Sequence, residues 1–193
     1  MNAAAQTMSN PTGSVEQRVV DWWRGFISDA EGDRGIRAEL RRCRTPVDAV
    51  SVPAAISLAK RLGRIPSVGD PRWKQQGFER ALGLAIVLSN VRVDSEAPLI
   101  RTLGWGQFPY DKKETEILEG RPRLSELRFK RLLQTDGEVE LIAALIRLVK
   151  LAGGEANVAD LSRLFLHWDE DRTKRDLALT YYRANALGLA ARD

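Results

Sequence analysis

The sequence predicts an all-α fold made of two packed helical bundles. Apolar residues recur at spacings of three and four along most of the chain, and residues that favour helix ends flank these segments. No segment shows the apolar and polar alternation of a half-buried strand bounded by hairpin turns. The 193 residues are 44% hydrophobic, which is enough to form a core in one large domain or two small ones.

Five helices are predicted in the first part of the chain. Ser14 and Gln17 have the form of a capping box and begin the first helix. The second ends before Pro46, because a proline disfavours helical geometry in the residue that precedes it. Asp70-Pro71 pairs an N-cap with a first-turn proline and begins a long fourth helix. The predicted spans of the first, second, third and fifth helices are 14–29, 33–43, 53–63 and 96–103.

Residues 104–122 are predicted to connect the two bundles. This segment contains three glycines, two prolines and mixed charge without sustained periodicity. Helical patterns resume after it at 124–133, 138–151, 157–167 and 170–184, with Asn157 and Asp169 as N-caps. We therefore predict a flexible tail at 1–13, an N-terminal domain at 14–111 and a C-terminal domain at 112–193.

Positive charge is concentrated in two of these helices. Thirty Lys and Arg against 26 Asp and Glu give a net charge of only +4. Residues 34–44, however, hold five arginines and one glutamate, and residues 121–131 hold four arginines, one lysine and one glutamate. Arginine presents a planar fork of donors that matches phosphate oxygens. The distribution favours a polyanionic partner more than the total charge does.

The first basic helix has two different faces. At about 100° per residue, four of its arginines fall within an arc of roughly 80°, while Ile36, Leu40 and Cys43 cluster on another side. One face is therefore predicted to meet the core and the other an anion. A solvated face whose arginines pair with acids on neighbouring elements remains the alternative. The four arginines are Arg34, Arg37, Arg41 and Arg44, and Arg42 projects from a different edge.

The second basic helix repeats this arrangement, with Phe129, Leu132 and Leu133 on one arc and its cations away from it. Two such helices could make one continuous track for a nucleic-acid backbone, without base specificity. The predicted nucleic-acid-binding residues are Arg34, Arg37, Arg41, Arg42, Arg44, Arg101, Arg128, Lys130 and Arg131.

Aromatic residues are predicted mainly for the core, since six of them lie within apolar helical patterns. Trp105 and Phe108 instead lie in a glycine-flanked loop. Anchoring of that loop is the preferred interpretation, and stacking on unpaired bases of a single strand is the alternative. The six are Trp22, Trp23, Trp73, Phe78, Phe129 and Phe165.

No catalytic, metal or cofactor site is predicted. The sequence has no P-loop, dinucleotide fingerprint, nucleophile elbow or zinc-protease motif. His167 lies near acidic residues at the start of a helix, where acids interact favourably with the positive end of the helix dipole. His167 is therefore interpreted as a structural residue. Arginines near Cys43 could lower its pKa, yet no partner histidine is evident, so Cys43 is predicted to be a small core residue. Without an export signal or membrane-span pattern, a cytoplasmic protein with no membrane partner is expected.

Several segments together resemble the CasB family, the small subunit of the type I-E CRISPR surveillance complex Cascade. Each segment alone is only a helix face, and their order and spacing carry the resemblance. The segments are Trp22-Trp23, Arg37 to Arg42, Val52 to Ala54, Leu99 to Leu103, Leu127 to Leu133, and Asn157 to Trp168 leading to Tyr181-Tyr182.

The resemblance implies a helical protein without enzymatic activity, present as two copies in a multi-subunit ribonucleoprotein used in antiviral defence. Its implied partners are guide RNA, DNA, other Cascade subunits and the second copy, and its basic surface would stabilise the R-loop, including the displaced strand. Arg41, Arg42, Arg101 and Arg128 match basic positions of the family, whereas the other predicted contacts rest on helical geometry. The alternative is a helical scaffold that joins protein subunits without contacting nucleic acid.

Overall fold

The structure is a computed structural model that describes residues 13–104 and 122–182. Within these ranges the chain forms nine α-helices and one pair of very short strands, which confirms the all-α class. Residues 105–121 of the predicted connection, which include Trp105 and Phe108, lie outside the described residues, as do the first twelve and the last eleven residues. The helices are α1 Val15–Phe26, α2 Arg34–Arg42, α3 Pro53–Arg61, α4 Arg72–Leu88, α5 Leu99–Leu103, α6 Glu126–Leu133, α7 Glu138–Leu151, α8 Val158–Leu166 and α9 Asp171–Tyr182.

Side-chain caps fix the starts of α1, α2 and α8. Ser14 Oγ accepts a hydrogen bond from the Gln17 N–H at 3.2 Å, and Asn157 Oδ1 accepts one from the Asp160 N–H at 2.7 Å. Asp33 caps α2 through the N–H groups of Gly35 and Ile36. These contacts satisfy N–H groups that have no partner within the helix. The predicted starts of these three helices are confirmed.

The start of α4 differs from the prediction. Pro71 occupies the cap position instead of the first helical turn. The Asp70 carboxylate accepts hydrogen bonds from the Ser67 N–H and, at 2.8 Å, from Lys74 Nζ. Asp70 therefore closes the preceding turn instead of capping the helix, and the sequence pattern Asp-Pro does not distinguish these two uses.

The start of α9 also lies later than predicted. The helix begins at Asp171, two residues after the predicted cap Asp169. Asp169 forms an ion pair with Arg80 Nη2 at 2.8 Å, and Glu138 lies 3.4 Å from Arg80 Nε. Asp169 therefore links α9 to α4, a long-range contact that no local pattern reveals.

Helix α4 lies at the centre of the described core. Its second half, from Ala81 to Leu88, is buried throughout, and it packs against α3, α7 and α8. Helix α1 packs mainly on α8, so helices that precede and follow the undescribed segment share one hydrophobic cluster. The predicted division between domains 14–111 and 112–193 falls in that segment and stays a prediction.

A two-residue parallel strand pair joins distant parts of the chain. Strand β1, Val93–Asp94, follows α4, and β2, Glu155–Ala156, precedes α8. Asp94 Oδ1 also accepts a hydrogen bond from the Val158 N–H at 2.9 Å. Two residues are too few for an alternating pattern, which is why the sequence does not predict the pair.

The aromatic core agrees with the sequence for the side chains that are described. Trp22, Trp23, Phe129 and Phe165 are buried and Phe78 is half-buried, while the Trp73 side chain is outside the described part. Trp22 Nε1–H donates to the Ala54 carbonyl at 2.9 Å. Tyr181 stacks on Phe129 with 3.9 Å between ring centroids, and its hydroxyl donates to the Leu124 carbonyl. The buried polar tips of Trp22 and Tyr181 thus both have a partner.

The turn between α1 and α2 is sensitive to a single added methyl group. A Cβ at Gly32 would lie 2.6 Å from both the Ile27 carbonyl carbon and the Ser28 carbonyl oxygen, which are backbone atoms that cannot move independently. We expect Gly32→Ala to reduce the free energy of unfolding by about 1–3 kcal/mol through overpacking. Urea unfolding, monitored by the circular dichroism signal of the helices, measures this change.

Gly25→Ala is the matched control for this substitution. A Cβ at Gly25, on the exposed side of α1, meets no atom within 4 Å. The added methyl group should stabilise α1 by roughly 0.5–1 kcal/mol, because glycine is unfavourable within helices. Equal stabilities of the two variants would contradict the tight packing of this turn.

Candidate nucleic-acid interface

The two faces of α2 are arranged as the sequence predicts. Leu40 and Cys43 are buried and Ile36 is half-buried against the core. The opposite side carries the exposed arginines of the predicted set. These are Arg34, Arg41, Arg42 and Arg44.

Arg37 differs from the other arginines of α2 because, among the described residues, its guanidinium forms an ion pair within the chain. Nη1 forms an ion pair with the Asp29 carboxylate and donates to the Ile27 carbonyl at 3.3 Å. Only 14% of its side chain is exposed. The hydrogen bond from Arg37 holds the pKa of Asp29 below its usual value. Arg37 therefore fastens α2 to the turn after α1, and its contact with nucleic acid stays a prediction.

Three cations from distant segments meet in one cavity of about 480 Å³. Arg41 comes from α2, Arg92 from the segment between α4 and β1, and Lys150 from the last turn of α7. We call this cavity the basic cleft. Its remaining lining residues are Asn90, Gly153 and Gly154.

Backbone contacts hold the cleft in shape. Arg41 Nε donates to the Ser89 carbonyl, at the C-cap of α4, at 2.8 Å. The Arg92 N–H donates to the Gly154 carbonyl at 2.8 Å, next to the β1–β2 pair. Gly154 has φ +89°, and a Cβ there would lie 3.1 Å from Arg92 Cδ. Glycine is favoured by this backbone angle, and an added Cβ would make the Arg92 side chain shift by a few tenths of an ångström.

The charges of the cleft are not balanced. Burial, followed by the neighbouring Arg37 and Arg92 guanidiniums, lowers the pKa of Arg41 from its usual value, although an arginine remains protonated in proteins. Asp29 Oδ2 lies 3.7 Å from Arg92 Nε, but this carboxylate is already bound by Arg37. Lys150 forms no ion pair within the described part of the chain. The arrangement therefore favours an anion.

The second basic helix lies beside a larger cavity of about 890 Å³ between α6 and α7. Arg128 and Arg131 of the predicted set line it, whereas the exposed Lys130 does not. Arg147 and Lys150 line it from α7. We call this cavity the interhelical groove. Lys150 lies at the junction of the groove and the basic cleft.

Four other predicted residues do not line these two cavities. Arg34, Arg42, Arg44 and Arg101 are exposed and line neither the cleft nor the groove. Their contacts with nucleic acid stay predictions. Sequence reasoning missed Arg92, Arg147 and Lys150, which are isolated cations. The three-residue spacing of Arg147 and Lys150 within a predicted helix is a weak local signal, and Arg92 has none.

The two reactive side chains considered from sequence have ordinary structural surroundings. His167 Nδ1 lies 2.6 Å from Glu170 Oε1 at the surface. Burial raises the pKa of the Cys43 thiol, and Asp48 and Glu39 add to this effect, so the suggested lowering by arginines is wrong. Cys43 is a core residue, as predicted.

Neither a metal cluster nor a membrane-spanning helix occurs within residues 13–104 and 122–182. These ranges contain no group of three His, Cys, Asp or Glu side chains placed to bind a metal ion. They also contain no helix with the length and apolar character needed to cross a membrane.

Comparison with known proteins places the chain in a family. The family model of the CRISPR-associated protein Cse2 matches residues 36–182, a range that includes all the cations of the basic cleft and the interhelical groove. The chain belongs to this family. The Cse2 match begins within α2 and ends with α9, so it covers the described core apart from α1.

A solved structure shares the fold of this Cse2-family chain. A chain from the crystal structure of E. coli Cascade bound to a PAM-containing double-stranded DNA target matches with a TM-score of 0.56 and 20% sequence identity. The alignment covers 89% of this chain and 96% of the other. A comparison with curated protein sequences gave no match.

Proposed function

We propose that this chain is a non-catalytic, nucleic-acid-binding subunit of the type I-E CRISPR surveillance complex Cascade. In this proposal it holds the phosphate backbone of guide RNA, target DNA or displaced strand and stabilises the R-loop. The observation that carries the proposal is the basic cleft, where Arg41, Arg92 and Lys150 converge with little compensating negative charge. Membership of the Cse2 family supplies the CRISPR context.

The cleft is suited to phosphate and poorly suited to reading bases. Arg41 and Arg92 supply planar guanidinium forks, and Lys150 supplies a compact charge. Asn90 is the uncharged polar side chain in its lining, and its Nδ2 already donates to the Ile86 carbonyl and lies near Ser89 Oγ. Contact with the backbone is sufficient for a subunit that does not read the PAM, since base pairing with the guide supplies the target sequence.

The exposed arginines of α2 extend this surface. Arg41 lines the cleft, Arg34 and Arg42 lie on the same short helix, and Arg44 follows it closely. The proposal keeps Arg101 and Lys130 as further backbone contacts. The likeness to a chain of E. coli Cascade bound to DNA supports other Cascade subunits as partners, and the second copy remains part of the proposal.

Purification from the native host at its normal expression level tests the assembly. We expect the full chain to be recovered with a guide RNA and other Cascade subunits, and sequencing of the RNA together with mass spectrometry identifies both. Recovery of an isolated chain without RNA or other subunits would contradict the proposal. Recovery with protein subunits and no direct nucleic-acid crosslink to this chain would favour the scaffold alternative.

A further inference from the structure

The interhelical groove has a regular construction. Helices α6 and α7 are consecutive in the chain, and each contributes a stripe of residues at helical spacing to the groove. Along α7 the stripe extends from Val139 to Leu151, a distance of about 18 Å at 1.5 Å per residue. This length corresponds to roughly three turns of a helix lying in the groove.

The floor of the groove is apolar. Leu132 and Leu148 are buried at its base, and alanine side chains of α7 keep it open. Val139 is 43% exposed within it. The apolar lining residues are Leu124, Leu132, Val139, Ala143, Ala144, Leu148 and Leu151. The leucines at the base are already buried, whereas Ala143, Ala144 and Leu151 are half-buried. A helix in the groove would therefore cover mainly Val139 and these half-buried side chains.

The rim of the groove is basic. Arg128, Arg131, Arg147 and Lys150 line it, against a single acid, Glu140. Among the described residues, none of these four cations forms an ion pair. Their charges are thus available to carboxylates of a partner that also covers the floor.

We propose that the interhelical groove binds an acidic amphipathic helix of a different protein. Apolar side chains of that helix, at spacings of three and four, would cover the floor while its carboxylates meet the basic rim. A nucleic-acid strand fits less well, because the described lining residues include no aromatic side chain for base stacking and phosphates gain nothing from an apolar floor.

This inference assigns Arg128 and Arg131 to carboxylates instead of the phosphates that the sequence predicts. It is independent of the basic cleft, apart from Lys150 at the junction. Variants of Arg92 affect only the cleft and variants of Arg131 only the groove, so failure of one proposal is distinguishable from failure of the other.

Photo-crosslinking within the full chain tests the groove. Benzoylphenylalanine replaces Val139 in protein expressed in the native host, and the cells are irradiated before lysis. We expect a nuclease-resistant adduct with a different polypeptide. Peptide mapping should place the crosslink in a segment with apolar residues at spacings of three and four and a net negative charge.

Two pairs of controls make the test specific. Leu127 is 60% exposed on α6 but does not line the groove, so benzoylphenylalanine at that position should not give the same adduct. Arg131→Gln should reduce the yield at position 139 several-fold, whereas Lys130→Gln, on the same helix but outside the groove, should not.

The proposal is overturned by any of four results. A nuclease-sensitive adduct would show a nucleic-acid strand in the groove, and an adduct of twice the chain mass would show a second copy. A mapped segment without net negative charge, or no adduct from position 139, would equally contradict an acidic helix.

Discussion

Reversing two cations of the basic cleft, Arg92→Glu together with Lys150→Glu, is expected to weaken nucleic-acid binding at least about 100-fold. Hydrogen bonds to charged groups contribute about 1.5–3 kcal/mol each, and every 1.4 kcal/mol is tenfold in affinity. The salt dependence should also become shallower, by about one power of salt concentration for each phosphate that the variant no longer binds. Fluorescence anisotropy with labelled DNA and RNA measures both quantities.

These two residues are chosen because neither makes a side-chain hydrogen bond that supports the fold of the described chain. Lys150 forms no ion pair among the described residues, and the Arg92 guanidinium pairs only with Asp29 there, at 3.7 Å. Arg41 is unsuitable for this purpose, since its Nε–H supports the Ser89 carbonyl. Unchanged helical circular dichroism and unfolding midpoint should accompany the loss of binding.

Arg172→Glu with Arg175→Glu is the matched control. Both arginines lie on α9, with side chains 80% and 69% exposed, and neither lines the cleft or the groove. This variant changes the net charge by the same amount as the cleft variant. If it weakens binding as much as the cleft variant does, the affinity reflects total charge and the cleft has no special role.

Gly154→Ala is expected to reduce both the stability of the protein and its affinity for nucleic acid. A side chain is strained at φ +89°, and its Cβ would lie 3.1 Å from Arg92 Cδ. We expect a loss of about 1–3 kcal/mol in the free energy of unfolding. A modest reduction in nucleic-acid affinity should follow, because the Arg92 side chain has to shift by a few tenths of an ångström to admit the added Cβ. Urea unfolding and anisotropy titration measure the two effects separately.

Gly153→Ala separates backbone strain from the displacement of Arg92. Gly153 has φ +77°, but a Cβ there meets no atom within 4 Å. Its replacement should cost a comparable free energy of unfolding while leaving the nucleic-acid affinity of the folded protein nearly unchanged. Equal affinities of the two variants would show that the shift of the Arg92 side chain does not affect binding.

Local patterns in the sequence predict most of the helices because the determinants of a helix lie within a few residues of each other. The Ser14 and Asn157 caps and the two faces of α2 are of this kind. The prediction for Asp70 was wrong because its carboxylate serves the turn that precedes α4. A proline after an acidic residue is compatible with either arrangement.

The basic cleft could not be predicted in the same way. Arg41, Arg92 and Lys150 lie far apart along the chain, and they meet because Arg41 bonds to Ser89 and Arg92 to Gly154. Conversely, Arg37 has the correct helical spacing for the predicted surface but pairs with Asp29. Helical periodicity identifies a face of a helix, whereas the partners of that face depend on tertiary packing.

The most direct test of nucleic-acid binding is a titration of the purified full chain with labelled single strands and duplexes of unrelated sequence, over a series of salt concentrations. The account predicts similar dissociation constants for all sequences, on the order of 10⁻⁴ to 10⁻⁶ M, that rise steeply with salt as condensed counterions are released. Absence of binding at low salt, from a chain that still assembles with its protein partners, would contradict the account and favour a protein scaffold.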